Sequence, residues 1–236
     1  MPRNDKHTGE FSKRAKSYQK TNIIQQKVVK KLIRGIKSQP KHILDLGCGE
    51  GAVWKEITWE LERFIGVDKA SNMCDLHPHH DKVTLHNIDF EDPSFYHDIK
   101  HIDMTIASSS LQWAKDLEKM IMMIANHSDE IAFSLFCDGT FKTIYEMSKL
   151  PSFLPHHDKV LTLVSQYFDI YHDRQEYTLE FKDNLSKFRY IKDSGVSGGN
   201  RQLSYHDTKK LIDEYPLSYL EFEVLYIWGK AKGKRP

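Results

Sequence analysis

Short apolar runs alternate with amphipathic stretches between residues 41 and 138. The apolar runs predict five β-strands, at residues 42–46, 64–68, 83–88, 102–107 and 130–136. Apolar side chains at helical spacing predict helices at residues 52–61 and 117–125. Strands and helices in this alternation form a parallel sheet with right-handed crossovers, and such sheets bind ligands at the carboxyl ends of their strands.

The pattern is different on either side of this region. An apolar residue recurs every fourth position between Ile24 and Ile36, which predicts an amphipathic helix within residues 11–36. After Gly139, helical patterns and two late strands follow one another. We place the helices at 140–150, 159–168, 184–193 and 205–215, and the strands at 176–181 and 219–228. Asp183 and Ser204 directly precede the last two helices and are expected to be their N-caps.

These patterns predict one domain, residues 1–236, built from four parts. A helical segment (1–38) precedes a central sheet (41–138), which is followed by a helical cover with a sixth strand (139–215) and by the last strand (216–230). Helices with no strand between some of them would lie over the sheet edge. A cover in that position suits a site that must exclude water.

Composition narrows the class of protein. The chain has 236 residues and a formal net charge of +1, which gives no reason to expect a nucleic acid as partner. Apolar stretches do not approach the roughly 20 residues of a membrane span, and the first residues are charged, unlike a signal peptide. Three cysteines without a C-x-x-C pair argue against a disulfide scaffold. We therefore expect a cytoplasmic protein that binds neither nucleic acid nor membrane.

The most informative motif is the turn after the first strand, where Asp45 is followed by glycines at 47, 49 and 51. Glycines at this point allow the backbone to approach a ligand closely. Gly47, Gly49 and Ala52 alone would also fit the G-x-G-x-x-A pattern of dinucleotide-binding proteins. The turn therefore leaves two kinds of nucleoside cofactor open.

Polar residues at the next strand ends distinguish the two. Asp68 closes the second strand, where a carboxylate accepts ribose hydroxyls, and Asp89 closes the third, where one can accept an adenine amino group. The run from Ser108 to Trp113 closes the fourth strand. With Asp45 ahead of the glycines, the set resembles the class I S-adenosylmethionine-dependent methyltransferases, an α/β class with a Rossmann-like, mostly parallel sheet, an antiparallel last strand and a helical cover after the fifth strand. The resemblance implies that S-adenosylmethionine is held by Asp45, Gly47, Cys48, Gly49, Gly51, Asp68, Lys69, Asp89, Phe90 and Ser108.

Further segments are similar to the malonyl-acyl carrier protein O-methyltransferases of biotin synthesis. They are residues 11–18, Gln25-Gln26, 111–113, 188–196 and 223–231. This family esterifies the free carboxylate of a malonyl thioester. Leu111-Gln112-Trp113 also occurs in trans-aconitate methyltransferases, so methylation of another small carboxylate, or a non-catalytic protein that binds S-adenosylmethionine, stays an alternative.

The resemblance implies a reaction that depends on positioning. A malonyl carboxylate is ionised at pH 7, with carboxyl reference pKa values near ~4, so no general base is expected. Tyr18 and Trp113 could line the methyl site, and Arg189, Lys192 and Arg201 are the candidates for pairing with the acceptor carboxylate. The expected partner is acyl carrier protein carrying the malonyl group, with malonyl-coenzyme A as the other possible carrier.

Two histidine-rich segments could suggest a metal site. They are 77–81 and 156–158, and neither has cysteine partners nor histidines four residues apart on a helix. We expect them to be solvated loops and predict no metal.

Overall fold

A seven-stranded sheet forms the centre of the molecule in the computed structural model, which describes residues 22–194 and 203–233. Its strands are β1 His42–Leu46, β2 Arg63–Val67, β3 Val83–His86, β4 Ile102–Ser108, β5 Ser128–Phe136, β6 Phe168–Glu180 and β7 Tyr219–Ala231. They lie in the order β3-β2-β1-β4-β5-β7-β6. β7 runs antiparallel to both of its neighbours, and the other pairs are parallel. The predicted mostly parallel sheet with an antiparallel last strand is confirmed.

Helices precede the sheet, connect its strands and follow its fifth strand. The α-helices are α1 Ile23–Arg34, α2 Ala52–Glu56, α3 Ser71–Cys74, α4 Pro93–His97, α5 Leu117–His127, α6 Lys142–Ser148, α7 His157–Tyr167, α8 Asn184–Ser194 and α9 Tyr205–Glu214, with a 3-10 turn at Leu111–Trp113. Helices α6 to α9 follow the fifth strand, as expected of the cover. Both predicted N-caps are made: Asp183 accepts the Ser186 N–H at 2.6 Å and Ser204 accepts the Asp207 N–H at 3.1 Å.

The two faces of the sheet pack against separate apolar clusters. Ile43 of β1 points into a cluster with α1, whereas Leu44 and Leu46 belong to a second cluster with α5 and α7. Successive strand residues point to opposite faces, so burial on both faces explains why β1 reads as a continuous apolar run. No helix in the described ranges has the length and apolarity needed to cross a membrane.

Helix α1 is fixed to β7 at its carboxyl end. The Trp228 indole N–H donates to the Leu32 carbonyl at 3.0 Å. The ring of Trp228 lies so close to Gly35 that a Cβ there would stand 2.2 Å from its Cζ2. Lys31 lies over the Tyr226 ring, 4.8 Å from its centroid, and pairs with Asp173 at 2.5 Å. The predicted amphipathic helix therefore docks across β6 and β7.

Several predicted boundaries are wrong. The helix predicted at 52–61 ends at Glu56, because the chain becomes extended at Ile57 and the Trp59 indole donates to the Pro40 carbonyl at 3.0 Å. Strand β6 begins at Phe168, eight residues before the predicted 176, and its exposed edge explains why no apolar run marks it. The short helices α3 and α4 were not predicted, since each is at most five residues long.

Candidate functional site

The turn after β1 requires glycine at three positions. Gly47, Gly49 and Gly51 have φ of 76°, 51° and 79°, values that side chains disfavour. A Cβ on Gly47 would lie 2.5 Å from Cβ of Ser110. One on Gly51 would lie 2.7 Å from Pro78 Cδ. The turn is thus packed tightly between the end of β4 and the segment after α3, and its backbone lines a cleft at the carboxyl edge of the sheet.

Asp68, at the end of β2, is tied to this turn. Its carboxylate accepts the Gly49 N–H at 3.0 Å and the Ala70 N–H at 2.8 Å. Burial raises the pKa of Asp68 although these two N–H groups and Lys69 favour the charged form. The side chain therefore joins β2 to the glycine turn in a fixed orientation at the floor of the cleft.

Asp45 is the most strongly perturbed acid of the cleft. Its side chain is 1% exposed, and neither carboxylate oxygen has a hydrogen-bond partner among the described residues. Burial, followed by the charge of Asp68, raises the pKa of Asp45 well above its ordinary value. A buried acceptor without a donor is costly, so this carboxylate fits a ligand that brings a cation or a donor.

The cleft brings the strand ends together. It contains about 1130 Å3 of empty space, continuous with solvent at its mouth. Nine of the ten residues predicted to hold the cofactor line it: Asp45, Gly47, Cys48, Gly49, Asp68, Lys69, Asp89, Phe90 and Ser108. Gly51 is absent from the lining; it lies at the N-cap of α2.

Sequence reasoning missed several other lining residues, among them Asn22, Gln25 and Gln26 at the start of α1. The amide of Asn22 donates to the Glu50 carboxylate at 3.2 Å and accepts from the Gln26 amide at 2.8 Å, so α1 is joined to the glycine turn. The sequence signal for these lining residues is the polar face of the amphipathic helix. The spacing of its apolar residues, considered alone, does not mark that face.

The three consecutive serines after β4 have different surroundings. Ser108 Oγ accepts from Ser134 Oγ at 3.3 Å, and Ser110 Oγ donates to the Leu46 carbonyl at 2.5 Å. Ser109 has φ of 59°, and its buried hydroxyl has no partner within the described ranges. Its backbone is held on both sides, by the Ser134 carbonyl and the Gln112 amide. Strain and an unused hydroxyl thus coincide at one residue of the cleft.

The third strand end contributes Asp89 and Phe90. Asp89 accepts the Glu91 N–H at 3.1 Å and lies 3.7 Å from Lys69 Nζ. Both charged groups of this pair are about one-third exposed, so the pair itself contributes little stability. The Phe90 carbonyl accepts the Tyr96 hydroxyl at 3.0 Å, which fixes the loop that carries both residues.

The charge of the cleft favours one of the two nucleoside cofactors. Lys69 is the single cation in the described lining, which carboxylates dominate. The acidic residues are Asp45, Glu50, Asp68, Asp89 and Glu91. An acidic cleft attracts a ligand with a sulfonium and an ammonium and disfavours the pyrophosphate of a dinucleotide. The residues present therefore fit S-adenosylmethionine.

The candidates for the acceptor lie further apart. Trp113 lines the cleft and stacks on Phe153 with ring centroids 5.5 Å apart. Arg189 and Lys192 are exposed on α8 and do not line the cleft. Tyr18 and Arg201 lie outside the described residues. The role of all five residues in binding an acceptor stays a prediction.

Comparison with known proteins gives a consistent assignment. Residues 43–129 match the family described as "Methyltransferase domain". The chain is 27% identical over 143 residues to the malonyl-acyl carrier protein O-methyltransferase of Anoxybacillus flavithermus, a match that covers 57% of the chain and 54% of that protein. It is 25% identical over 209 residues to the enzyme of the same name from Bacteroides thetaiotaomicron, covering 83% of the chain and 79% of that protein.

Solved structures share the fold at low sequence identity. The YcgJ protein from Bacillus subtilis superposes with a TM-score of 0.62 at 11% identity, covering 88% of the chain and 99% of that protein. A phosphoethanolamine N-methyltransferase from Haemonchus contortus, solved with S-adenosylhomocysteine, gives 0.56 at 15% identity, covering 96% of the chain and 58% of that protein. Residues 43–129 therefore form a methyltransferase domain, and the sheet order and the acidic glycine-turn cleft fit the class I fold that binds S-adenosylmethionine.

Proposed function

We propose that this enzyme methylates the free carboxylate of a malonyl thioester, carried by acyl carrier protein, in the early steps of biotin synthesis. The observation that carries the proposal is the similarity over 209 residues to an enzyme of that name. It is supported by the position of Trp113, which adjoins the cofactor residues at the end of β4.

The chain's own residues contribute positioning. When bound, the cofactor supplies a methyl group on a positively charged sulfur. Asp45, the glycine turn, Asp68 and Asp89 would hold it, and Trp113 would form an apolar wall that excludes water beside the acceptor. Since the acceptor carboxylate is already ionised, alignment and desolvation supply the rate acceleration, and alignment alone can contribute up to roughly 7–11 kcal/mol.

The acceptor carboxylate needs a cation. Lys69 is the cation in the described lining, and it already pairs with Asp89. We propose that Arg189, Lys192 or Arg201 provides the cation, and that Tyr18 contributes to the wall of the methyl site. At least one of the variants Arg189→Gln, Lys192→Gln and Arg201→Gln should raise KM for the acceptor, whereas Lys209→Gln, an exposed change on α9, should not.

The test is transfer of radiolabelled methyl to three acceptors: malonyl-acyl carrier protein, malonyl-coenzyme A and trans-aconitate. We expect the highest kcat/KM with the carrier-protein substrate. A preference for trans-aconitate would replace the malonyl assignment, and a preference for malonyl-coenzyme A would replace the carrier protein as partner. Cofactor binding without any ester product would point to a non-catalytic binding protein.

A further inference from the structure

A cluster of two histidines and an aspartate lies outside the cofactor cleft, at the end of β5. Asp138, His156 and His157 each offer one potential ligand atom, and these atoms lie within 4.8 Å of one another. The rings of His156 and His157 stack with centroids 4.3 Å apart. This segment was predicted to be a solvated loop. His156 is exposed, as predicted, but His157 is only 20% exposed and begins helix α7.

A buried carboxylate lies beside His157. Its Nδ1 lies 3.3 Å from Oε1 of Glu223, whose side chain is 8% exposed, without a hydrogen bond between the two atoms in this arrangement. A rotation of the ring that forms this hydrogen bond would leave Nε2 to bind a metal. Metal-binding histidines are usually held in this way, with the second ring nitrogen donating to a carboxylate.

A cation already lies beside one of the potential ligand atoms, Nε2 of His157. The Arg174 guanidinium is 3.4 Å from His157 Nε2 and 3.2 Å from Glu223 Oε1. Its side chain is 49% exposed, so it can turn outward into solvent. His156 Nδ1 accepts the Asp158 N–H at 3.2 Å, a weak cap that ligation by His156 would displace.

We propose that Asp138, His156 and His157 form a binding site for a divalent transition-metal ion, with Glu223 orienting His157 and Arg174 displaced when the ion binds. Two imidazoles and a carboxylate suit zinc, which binds histidine nitrogen and carboxylate oxygen in tetrahedral sites. Zinc holds such ligand atoms about 3.3 Å apart, so side-chain rotation must draw the three donors together.

The site would act on the cleft through the connection that precedes it. Phe153, which stacks on Trp113, lies three residues before His156. A metal that joins Asp138 to the start of α7 would restrict this connection at both ends. The ion would therefore stabilise the aromatic wall of the cleft and would take no part in methyl transfer.

The test is calorimetric titration of the tag-free full-length chain with zinc chloride. We expect one ion per chain, and Asp138→Asn and His157→Ala should each weaken binding by at least about tenfold. Arg174→Gln should strengthen binding, by about tenfold, because it removes the competing cation. His79→Ala, in the other histidine-rich segment, is the matched control and should leave the affinity unchanged.

The expected changes in zinc affinity are opposite for Asp138→Asn and Arg174→Gln, so the titration can contradict the proposal. No binding by the folded wild-type chain would overturn it, as would unchanged affinity in Asp138→Asn, a nearly isosteric change that leaves the fold intact. Equal losses in His79→Ala and Asp138→Asn would show surface histidines binding zinc adventitiously. Circular dichroism establishes that each variant is folded. A zinc-dependent rise in melting temperature that is present in wild type, His79→Ala and Arg174→Gln but smaller in Asp138→Asn and His157→Ala gives a second readout.

Discussion

The buried carboxylate of Asp45 lowers the stability of the ligand-free protein and favours the binding of a cationic ligand. Its charged form is disfavoured in the ligand-free protein, because the pKa of Asp45 is raised well above its ordinary value by burial and by Asp68. A carboxyl whose pKa is raised on folding makes the ligand-free protein less stable as the pH rises from the ordinary carboxyl pKa through the raised one. The same charge favours a cationic ligand, so cofactor affinity should rise over the same range.

We therefore expect Asp45→Asn to have opposite effects on stability and binding. At neutral pH the variant should melt at a higher temperature than wild type in the absence of ligand. Its affinity for S-adenosylhomocysteine should fall roughly 10- to 100-fold, and the rise of affinity with pH should flatten. Calorimetry over a pH series measures both properties. Unchanged affinity would remove Asp45 from the cofactor site.

Ser109 combines left-handed backbone with a buried hydroxyl that has no partner in the described part of the chain. Glycine at this position relieves the strain and deletes the hydroxyl, and these gains exceed the entropy cost of glycine. Ser109→Gly should raise the free energy of unfolding in urea by about 1 kcal/mol. Ser110→Ala, which loses the bond to the Leu46 carbonyl, should lower it by about 1 kcal/mol. A destabilised Ser109→Gly would contradict the strain argument.

At the level of elements, the attachment of α1 depends on Gly35. Its φ of −76° is helical and suits any residue, so a substitution meets no backbone cost. The added Cβ would nevertheless lie 2.2 Å from the Trp228 ring. Gly35→Ala should lower the free energy of unfolding by about 1–3 kcal/mol, through overpacking, and should disturb the indole bond to Leu32. Urea unfolding followed by tryptophan fluorescence measures this effect.

Gly233→Ala is the control for that substitution, since a Cβ at Gly233 would meet no atom within 4 Å. It should match wild type. Equal stability of Gly35→Ala and wild type would show that α1 can shift away from β7 at little cost.

The strands and the strand-end residues could be predicted from the sequence because parallel strands buried on both faces leave apolar runs. Polar residues directly after such runs must meet at one edge, which is why Asp68, Asp89 and Ser108 were found. Edge strand β6 could not be located as well, since its exposed residues alternate with half-buried ones and carry charge. The helix predicted to reach residue 61 shows the converse. Leu61 is buried, as the helical spacing of the apolar residues implied, but it lies outside the helix, in irregular backbone.

Other parts of the site depend on contacts that no local pattern encodes. Gln25 and Gln26 enter the cleft because α1 crosses the sheet. Lys187 is buried, with its ammonium 4.7 Å from the Tyr215 ring centroid, and donates to the Leu217 carbonyl. Burial lowers the pKa of this ammonium. Its charge therefore lies inside the helical cover, so Lys187 is not available to bind a partner protein.

At the scale of the molecule, the proposed carrier protein provides a test through ionic strength. Acyl carrier protein is acidic, and exposed basic residues on the cover, among them Lys142, Arg189 and Lys192, could receive it. KM for malonyl-acyl carrier protein should then rise several-fold between about 50 and about 300 mM salt, as screening shortens the reach of these charges. The Kd of S-adenosylhomocysteine is the internal control. A salt-independent KM would remove this basic surface as the docking site.

The position of β7 has a consequence for synthesis of the chain. β6 joins the sheet through β7, which is made some 40 residues later and inserts between β5 and β6. During translation, β5 is therefore an open edge, and β6 has no strand to pair with until β7 leaves the ribosome. The parallel half of the sheet, with its glycine turn, can form early, but the wall that supports α1 is completed only when β7 is added.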